Sequence, residues 1–210
     1  MRKKLLEGRK ILLISCDVSS LVIDRLSDWG RGRDATVACF YFDSAAQEEQ
    51  SLAAVLGSVL KQLVAGLEKV PERIVRAFQG QGKVIGGQRL PLSEIVELLR
   101  DILSPRCAFI CIDALDECPS GHRVKLLDLL NQILQESPGA RLFMTGRQHI
   151  LGEVERHLGG RVATRSITPT KNDIIAFLRA KLKEDTIPDE MDERLEEEII
   201  RNMTKTVAET

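Results

Sequence analysis

The chain has 210 residues, with 30 basic and 31 acidic side chains and a formal net charge of −1. Hydrophobic residues make up 43% and charged residues 29%, a balance that excludes collagen-like, low-complexity and disordered proteins. The near-zero charge lacks the electrostatic signature of a nucleic-acid or anionic-membrane binder, and no segment approaches the about 20 apolar residues of a membrane span. We therefore expect neither nucleic acid nor a membrane as a partner.

The cysteines indicate a reducing compartment. They are odd in number and lack the paired spacing of a zinc site or of a secreted disulfide framework; they are Cys16, Cys39, Cys107, Cys111 and Cys118. The basic N-terminus is interrupted by Glu7, and the apolar run at 11–14 is too short for a targeting signal. These features predict a cytoplasmic location and reduced, mostly buried thiols.

Short apolar runs alternate with amphipathic segments, which is typical of βα units in a parallel sheet. Residues 36–42 are β-branched and aromatic and predict a strand that ends before Asp43. From Ser51 to Leu67, apolar residues recur at helical spacing, which predicts a helix with one buried face. Residues 79–91 are polar and rich in glycine and predict a loop.

The middle of the chain continues the alternation. A helix is predicted at 92–103, with Ser93 as a candidate cap. The continuous apolar run at 107–112 predicts a strand that is buried on both faces and therefore central in the sheet. Apolar spacing over 124–134 predicts the next helix, and residues 141–145 predict the strand after it.

The last part of the chain changes in character. Residues 162–167 predict a strand, and a helix follows at 171–183; its predicted buried face consists of Ile174, Ile175, Phe177, Leu178 and Leu182. From residue 184 onward acidic residues dominate and the apolar stripe is thin, which indicates the start of a second, helical module. The predicted fold class is α/β, a mostly parallel sheet flanked by helices.

Three carboxylates, Asp113, Asp116 and Glu117, follow the predicted central strand. Like charges this close repel one another unless a cation compensates them, and Mg²⁺ with phosphate oxygens does so. Ligands of open α/β sheets bind beyond the carboxyl ends of the strands. We therefore predict that Asp113 holds Mg²⁺ or one of its waters, and that Asp116 and Glu117 polarise an attacking water, with Glu117 as the preferred base. The alternative is a solvated acidic turn that stabilises a helix N-terminus.

The segment Asp113-Ala-Leu-Asp116-Glu117-Cys118 resembles the Walker B segment of NACHT-domain proteins, which are signal-transduction NTPases of the P-loop class. The resemblance is to the fungal group with a nephrocystin-like N-terminal module. Residues 40–43, 50–52 and 56–63 resemble the strand and helix that follow the P-loop helix in that group, and residues 142–147 resemble its sensor strand. The resemblance extends from about residue 18 to residue 210.

This resemblance implies a P-loop NTPase-like fold and Mg²⁺ with ATP or GTP as cofactor. It also implies that Arg147, which follows the sensor strand, contacts the γ-phosphate and reports the nucleotide state, since a guanidinium complements phosphate charge. The alternative for Arg147 is a surface residue at the end of a strand.

The phosphate-binding run Gly-x-x-x-x-Gly-Lys-Ser/Thr is absent from the sequence. The pair Gly82-Lys83 is followed by Val84 and has no strand before it, so it is a chance match. The resemblance places the P-loop helix at about 18–26. Residues 11–15 are then either a first strand joined to that helix by a shortened turn, or an unrelated leader. In both cases we expect nucleotide binding to be weak or absent.

The predicted organisation is a leader or degenerate first strand at 1–17, a NACHT-like core at 18–168 and the start of a helical module at 169–210. Relatives implied by the resemblance continue into winged-helix and repeat regions, so we expect a truncated core.

The predicted function is a signalling switch that binds ATP or GTP, with hydrolysis left open. One alternative is a non-catalytic interaction or regulatory module that associates with itself or with full-length relatives. A weaker one is a different Mg²⁺-dependent phosphotransfer protein or phosphohydrolase.

Overall fold

The computed structural model describes residues 11–15, 19–33, 35–81, 90–166, 171–183 and 193–208. The chain divides into two compact units, Met1–Ser166 and Ile167–Thr210. The first unit contains the sheet and all of the predicted site residues. In the second unit, α7 (Lys171–Lys183) packs against α8 (Glu193–Ala208).

The first unit is built on a five-stranded sheet in which every described pairing is parallel. The strand order is β2-β3-β4-β1-β5, and the strands are β1 (Ile11–Ser15), β2 (Ala35–Tyr41), β3 (Cys107–Asp113), β4 (Ala140–Thr145) and β5 (Val162–Ser166). The predicted α/β class with a mostly parallel sheet is confirmed. Residues 11–15 form a strand inside this sheet, where Ile11 is in register with Leu142 of β4 and Val162 of β5.

Among the described residues of this unit, six α-helices connect or cover the strands: α1 (Ser19–Gly30), α2 (Leu52–Ala65), α3 (Glu72–Gln81), α4 (Leu92–Leu103), α5 (Ser120–Glu136) and α6 (Leu151–Leu158). The helix predicted from Ser51 is α2, which begins where the Ser51 hydroxyl accepts the Ala54 N–H at 3.3 Å. Its buried side chains are Val55, Leu56, Val59, Leu60 and Leu63, as the spacing predicts.

The sheet is covered on both faces. Side chains alternate along β3, so Ile110 and Ile112 belong to the large core that includes buried residues of α2, α4 and α5. Cys111 points to the opposite face, where it packs with Phe143 and with the apolar residues of α1. A strand buried on both faces explains the continuous apolar run at 107–112.

Four predictions about local structure are wrong or incomplete. Ser93 is not the cap of α4, because the helix begins at Leu92 with Pro91 in the cap position and no side-chain cap. Of the loop predicted at 79–91, residues 79–81 belong to α3, and residues 82–89 lie outside the described residues. Helices α3 and α6 are short and were not predicted from the spacing of apolar residues. Phe177 is 61% exposed and is therefore not part of a buried face.

Helix α3 is attached to α4 by polar and apolar contacts. Ile74 is 2% exposed and belongs to the core. Arg73 forms ion pairs with Glu97, at 2.5 Å, and with Asp101. These contacts hold α3 in place within the first unit.

Within the part of the chain that the structure describes, no helix combines the length and apolar character needed to cross a membrane.

Candidate functional site

The carboxyl ends of β3 and β4 lie side by side, because the two strands are parallel neighbours in register from Ala108 with Ala140 to Ile112 with Met144. The next residue of each strand is polar, Asp113 on β3 and Thr145 on β4. The Thr145 hydroxyl donates to Asp113 Oδ1, and its oxygen accepts the Ala114 N–H at 3.0 Å. Thr145 is 4% exposed, so its side chain is buried between the two strand ends.

The backbone turns sharply after β3. Ala114 adopts a left-handed conformation with φ of 50°, which a residue with a Cβ seldom adopts and which costs about 1–2 kcal/mol. Leu115–Glu117 then form one turn of 3₁₀-helix. As a result, Asp116 and Glu117 point toward different neighbours instead of sharing one space.

Asp116 faces the end of β4. Its Oδ1 accepts the backbone N–H of Arg147 at 3.2 Å, and its Oδ2 lies 3.4 Å from Nε of the Arg147 guanidinium. The Asp116 side chain is 9% exposed and that of Arg147 is 78% exposed. Gly146 permits this approach, since a Cβ there would lie 2.7 Å from Ile150 Cδ1 and 3.4 Å from Asp116 Oδ1.

Glu117 faces the segment after β2. Its Oε2 accepts the backbone N–H of Ser44 at 2.8 Å, and its carbonyl oxygen accepts from the Gln47 side-chain amide at 2.9 Å. Asp43 stabilises the same turn by accepting the Ala45 N–H at 2.8 Å. The carboxylate of Glu117 therefore connects the ends of β2 and β3.

The structure thus brings all four predicted site residues to one edge of the sheet, but it gives each of the three carboxylates a different protein partner. Asp113 contacts Thr145, Asp116 contacts Arg147, and Glu117 contacts the backbone at residue 44. Residues 11–15, 19–33, 35–81, 90–166, 171–183 and 193–208 contain no group of three or more His, Cys, Asp or Glu side chains that could hold a metal ion. The catalytic, metal and nucleotide roles of the four residues stay predictions.

Thr145 is a site residue that the sequence analysis did not single out. The sequence does contain a signal for Thr145, because it is the last residue of the next predicted strand after the one that precedes Asp113. What could not be read from the sequence was the register that aligns the two strand ends.

Tyr41 ends β2 beside Asp113 in the register. Although Tyr41 is 48% exposed, partial desolvation raises the pKa of its hydroxyl to about 12, with smaller contributions from Cys39 and Asp113. The hydroxyl is therefore neutral at physiological pH and contributes no charge to this edge of the sheet.

The opposite side of Arg147 opens toward β1 and β5. A cavity of about 40 Å³ lies there, lined by Leu13, Gly146, Arg147, Gln148, Leu151, Thr164 and Ser166. Small-molecule sites usually have volumes of about 300–1,000 Å³, so this cavity is too small to enclose a nucleotide. Three residues, 16–18, separate the end of β1 from the start of α1, whereas a P-loop run has about eight.

The fold is similar to those of solved P-loop NTPases. Cdc6p from Pyrobaculum aerophilum matches with a TM-score of 0.52 and 13% identity over 85% of this chain and 45% of that chain. A DNA replication initiation factor matches with a TM-score of 0.50 and 9% identity over 97% of this chain and 52% of that chain. This chain therefore spans about half the length of these proteins. At such identities the similarity shows the fold alone, and it confirms the predicted P-loop NTPase-like architecture.

Sequence comparison gives a narrower result. None of the curated proteins matches this chain. The family model described as nephrocystin 3, N-terminal, matches residues 17–147. That range covers more than half of the chain, runs to the end of β4, and includes Asp113, Asp116, Glu117 and Arg147. The chain therefore belongs to the nephrocystin 3 N-terminal family.

Proposed function

We propose that this chain is the core of a NACHT-type signalling NTPase, a switch that responds to ATP or GTP but holds nucleotide weakly by itself. The observation that carries the proposal is the contact between Asp116 and Arg147 across the carboxyl ends of two adjacent parallel strands. Ligands of open α/β sheets bind at this edge. The P-loop NTPase-like fold and the family membership support the same assignment.

Asp113 is the residue that we assign to Mg²⁺. No described basic side chain forms an ion pair with it, whereas Asp116 is paired with Arg147. The one described hydrogen-bond partner of its carboxylate is the neutral hydroxyl of Thr145, which orients the carboxylate without neutralising its charge. A hard divalent cation fits such an oxygen ligand. When bound with nucleotide, Mg²⁺ would neutralise phosphate charge.

Arg147 is the residue that we assign to the γ-phosphate. Its side chain is 78% exposed, and its Nε lies 3.4 Å from Asp116 Oδ2. The guanidinium is largely in contact with water, and Asp116 keeps the hydrogen bond from the Arg147 N–H when the guanidinium turns toward a phosphate. Glu117 lies at the same edge and is the assigned base, and its hydrogen bond to Ser44 fixes its direction.

Weak binding follows from the missing phosphate loop. The loop is rich in glycine and supplies a lysine, and the sequence of residues 16–18, between β1 and α1, contains neither. Without them, the carboxylates at the edge of the sheet repel phosphate groups unless a cation intervenes. We expect a dissociation constant for Mg-ATP above about 1 mM, which corresponds to about −4 kcal/mol.

The test inserts a phosphate-binding loop into the chain. Calorimetric titrations with Mg-ATP and Mg-GTP compare the unchanged chain with a variant in which residues 16–18 are replaced by a Gly-x-x-x-x-Gly-Lys-Thr run. The control carries the same insertion with alanine in place of its lysine. We expect the first insertion to increase affinity at least about tenfold, and Asp113→Asn or Arg147→Ala to reverse the gain. A folded insertion variant that binds neither nucleotide would refute the proposal.

A second candidate is a non-catalytic module that associates with itself or with full-length relatives. The observation that favours it is that Asp116, Glu117 and Arg147 already have partners within the chain, beside a cavity of about 40 Å³. Sedimentation of the unchanged chain without nucleotide tests this candidate. Concentration-dependent association supports it, and a monomer that binds Mg-ATP tightly contradicts it.

We further propose that nucleic acid is not a partner, because the net charge of −1 offers no counterpart to a phosphate backbone. Titration with a duplex oligonucleotide at low salt tests this proposal. Binding that weakens steeply with added salt would contradict it.

A further inference from the structure

Arg123 is a buried charged residue in the first turn of α5, and it is 8% exposed. Arginine is almost never buried to this degree unless it is paired, because the charge loses its hydration. The sequence gives no indication of a role for it. Its contacts therefore need an explanation.

The guanidinium of Arg123 makes contacts in two directions. Toward α6, its Nε donates to Glu153 Oε1 at 2.5 Å and its Nη2 donates to Glu153 Oε2 at 3.3 Å, which is a two-point pairing. Toward the turn after β3, its Nη1 donates to the carbonyl oxygens of Asp116, at 3.2 Å, and Cys118, at 2.8 Å. All three guanidinium nitrogens are used.

The contacts of Arg123 join two segments that carry or adjoin candidate site residues. The carbonyl oxygens lie on the segment that carries Asp116 and Glu117, and Glu153 lies on the helix that follows Arg147 along the chain. The hydrogen bond from Arg123 also lowers the pKa of Glu153 below its ordinary value, which keeps that carboxylate ionised. Lysine could not replace the guanidinium, since it has no planar fork of donors.

We propose that Arg123 is a positioning residue of this site. Its bonds to the backbone of the turn hold the Asp116 carboxylate against Arg147 and the Glu117 carboxylate against the N–H of Ser44. The part of this inference that concerns nucleotide rests on the proposed function, whereas the part that concerns the turn does not.

The first test measures the turn directly in the full chain. The N–H groups of Ser44 and Arg147 donate to the Glu117 and Asp116 carboxylates, so their hydrogen exchange reports whether those carboxylates are held in place. We expect Arg123→Met to accelerate exchange at both amides at least about tenfold relative to amides in the middle of β3. Dividing the exchange rates of these two amides by those of the β3 amides distinguishes a local loss of positioning from a general loss of stability.

The matched control is Arg73→Met. Arg73 also joins two helices through two ion pairs, with Glu97 and Asp101, but it lies on α3 and has no described contact with the site. We expect this variant to leave the exchange ratio unchanged. If Arg123→Met does not fold, Arg123→Lys retains the charge beside Glu153 but loses the fork. It should give an intermediate acceleration at both reporter amides.

The second test uses the chain with the inserted phosphate loop. There, Arg123→Met should reduce Mg-ATP affinity about tenfold, and Arg73→Met should not. Unchanged exchange ratios at residues 44 and 147 in both Arg123 variants would overturn the positioning role, whatever happens to nucleotide binding. Accelerated exchange together with no Mg-ATP binding in any variant would support the positioning role and overturn the proposed function.

Discussion

Replacing Thr145 by valine tests the connection between the ends of β3 and β4. Valine has nearly the shape of threonine, so the change removes the hydroxyl without opening a cavity. That hydroxyl donates to Asp113 and accepts the Ala114 N–H at 3.0 Å. Both partners lose an interaction at once, at the position where the backbone is left-handed.

The expected magnitude follows from these two contacts. A hydrogen bond to a charged group contributes about 1.5–3 kcal/mol, and a donor left unsatisfied costs about 1–3 kcal/mol. Asp113 and Ala114 are both half-buried, so water replaces part of each loss. We therefore expect Thr145→Val to reduce the free energy of unfolding by about 2–4 kcal/mol, a large part of the about 5–15 kcal/mol typical of a domain. Thr145→Ser keeps the hydroxyl and should cost about 1 kcal/mol for the lost methyl group.

Urea denaturation followed by tryptophan fluorescence provides the assay. Trp29 is the single tryptophan of the chain, and its ring lies 5.6 Å from that of Phe109 on β3, so its emission reports on the first unit. If the valine and serine variants unfold with equal midpoints and slopes, the hydroxyl bridge contributes nothing and the reasoning fails.

Three further predictions concern other parts of the first unit. Gly139→Ala should reduce the free energy of unfolding by about 3 kcal/mol, because the new Cβ would lie 2.1 Å from the backbone oxygen of the residue before β3. The hydrogen bond from Arg123 lowers the pKa of Glu153, so the stability from this pair is present above the ordinary glutamate pKa. It should be lost as the pH falls through the lower folded value, which urea titrations from about pH 6 to about pH 3 would follow. Burial raises the pKa of Cys111 to about 12 and that of Cys118 to about 11, so neither thiol should react with iodoacetamide at neutral pH in the folded chain, as peptide mass mapping would show.

Each of these predictions has a control. Gly152→Ala adds a Cβ with nothing within 4 Å in α6 and should be neutral or stabilising, so equal losses at Gly139 and Gly152 would contradict the packing argument. Glu153→Gln should reduce the loss of unfolding free energy between about pH 6 and about pH 3. If that loss is unchanged in the variant, the Arg123–Glu153 ion pair is not its cause. Labelling of Cys111 or Cys118 at the same rate in buffer as in urea would contradict their burial.

Hydrophobic periodicity along the sequence was sufficient to predict the class of fold and most of its elements. The predicted helices at 92–103 and 171–183 agree with α4 and α7, and the run at 107–112 agrees with β3 apart from its last residue. These segments were predictable because their burial repeats with the period of the helix or continues along the strand, and a repeat is a local property. The acidic cluster was found in the same way, since it stands directly after an apolar run, whereas Arg147 was indicated only by the resemblance of residues 142–147 to a sensor strand.

The partners of these residues depended on the tertiary structure. Strand order and register place Thr145 beside Asp113, and α5 brings Arg123 under the turn that carries Asp116. Each of these contacts joins separate elements, and no local pattern of side chains encodes which strand ends meet. The sequence alone established an α/β fold with carboxylates at a strand end. The packing of the strands and helices assigned each carboxylate a different neighbour, because hydrogen-bond geometry is satisfied only where particular side chains converge in space.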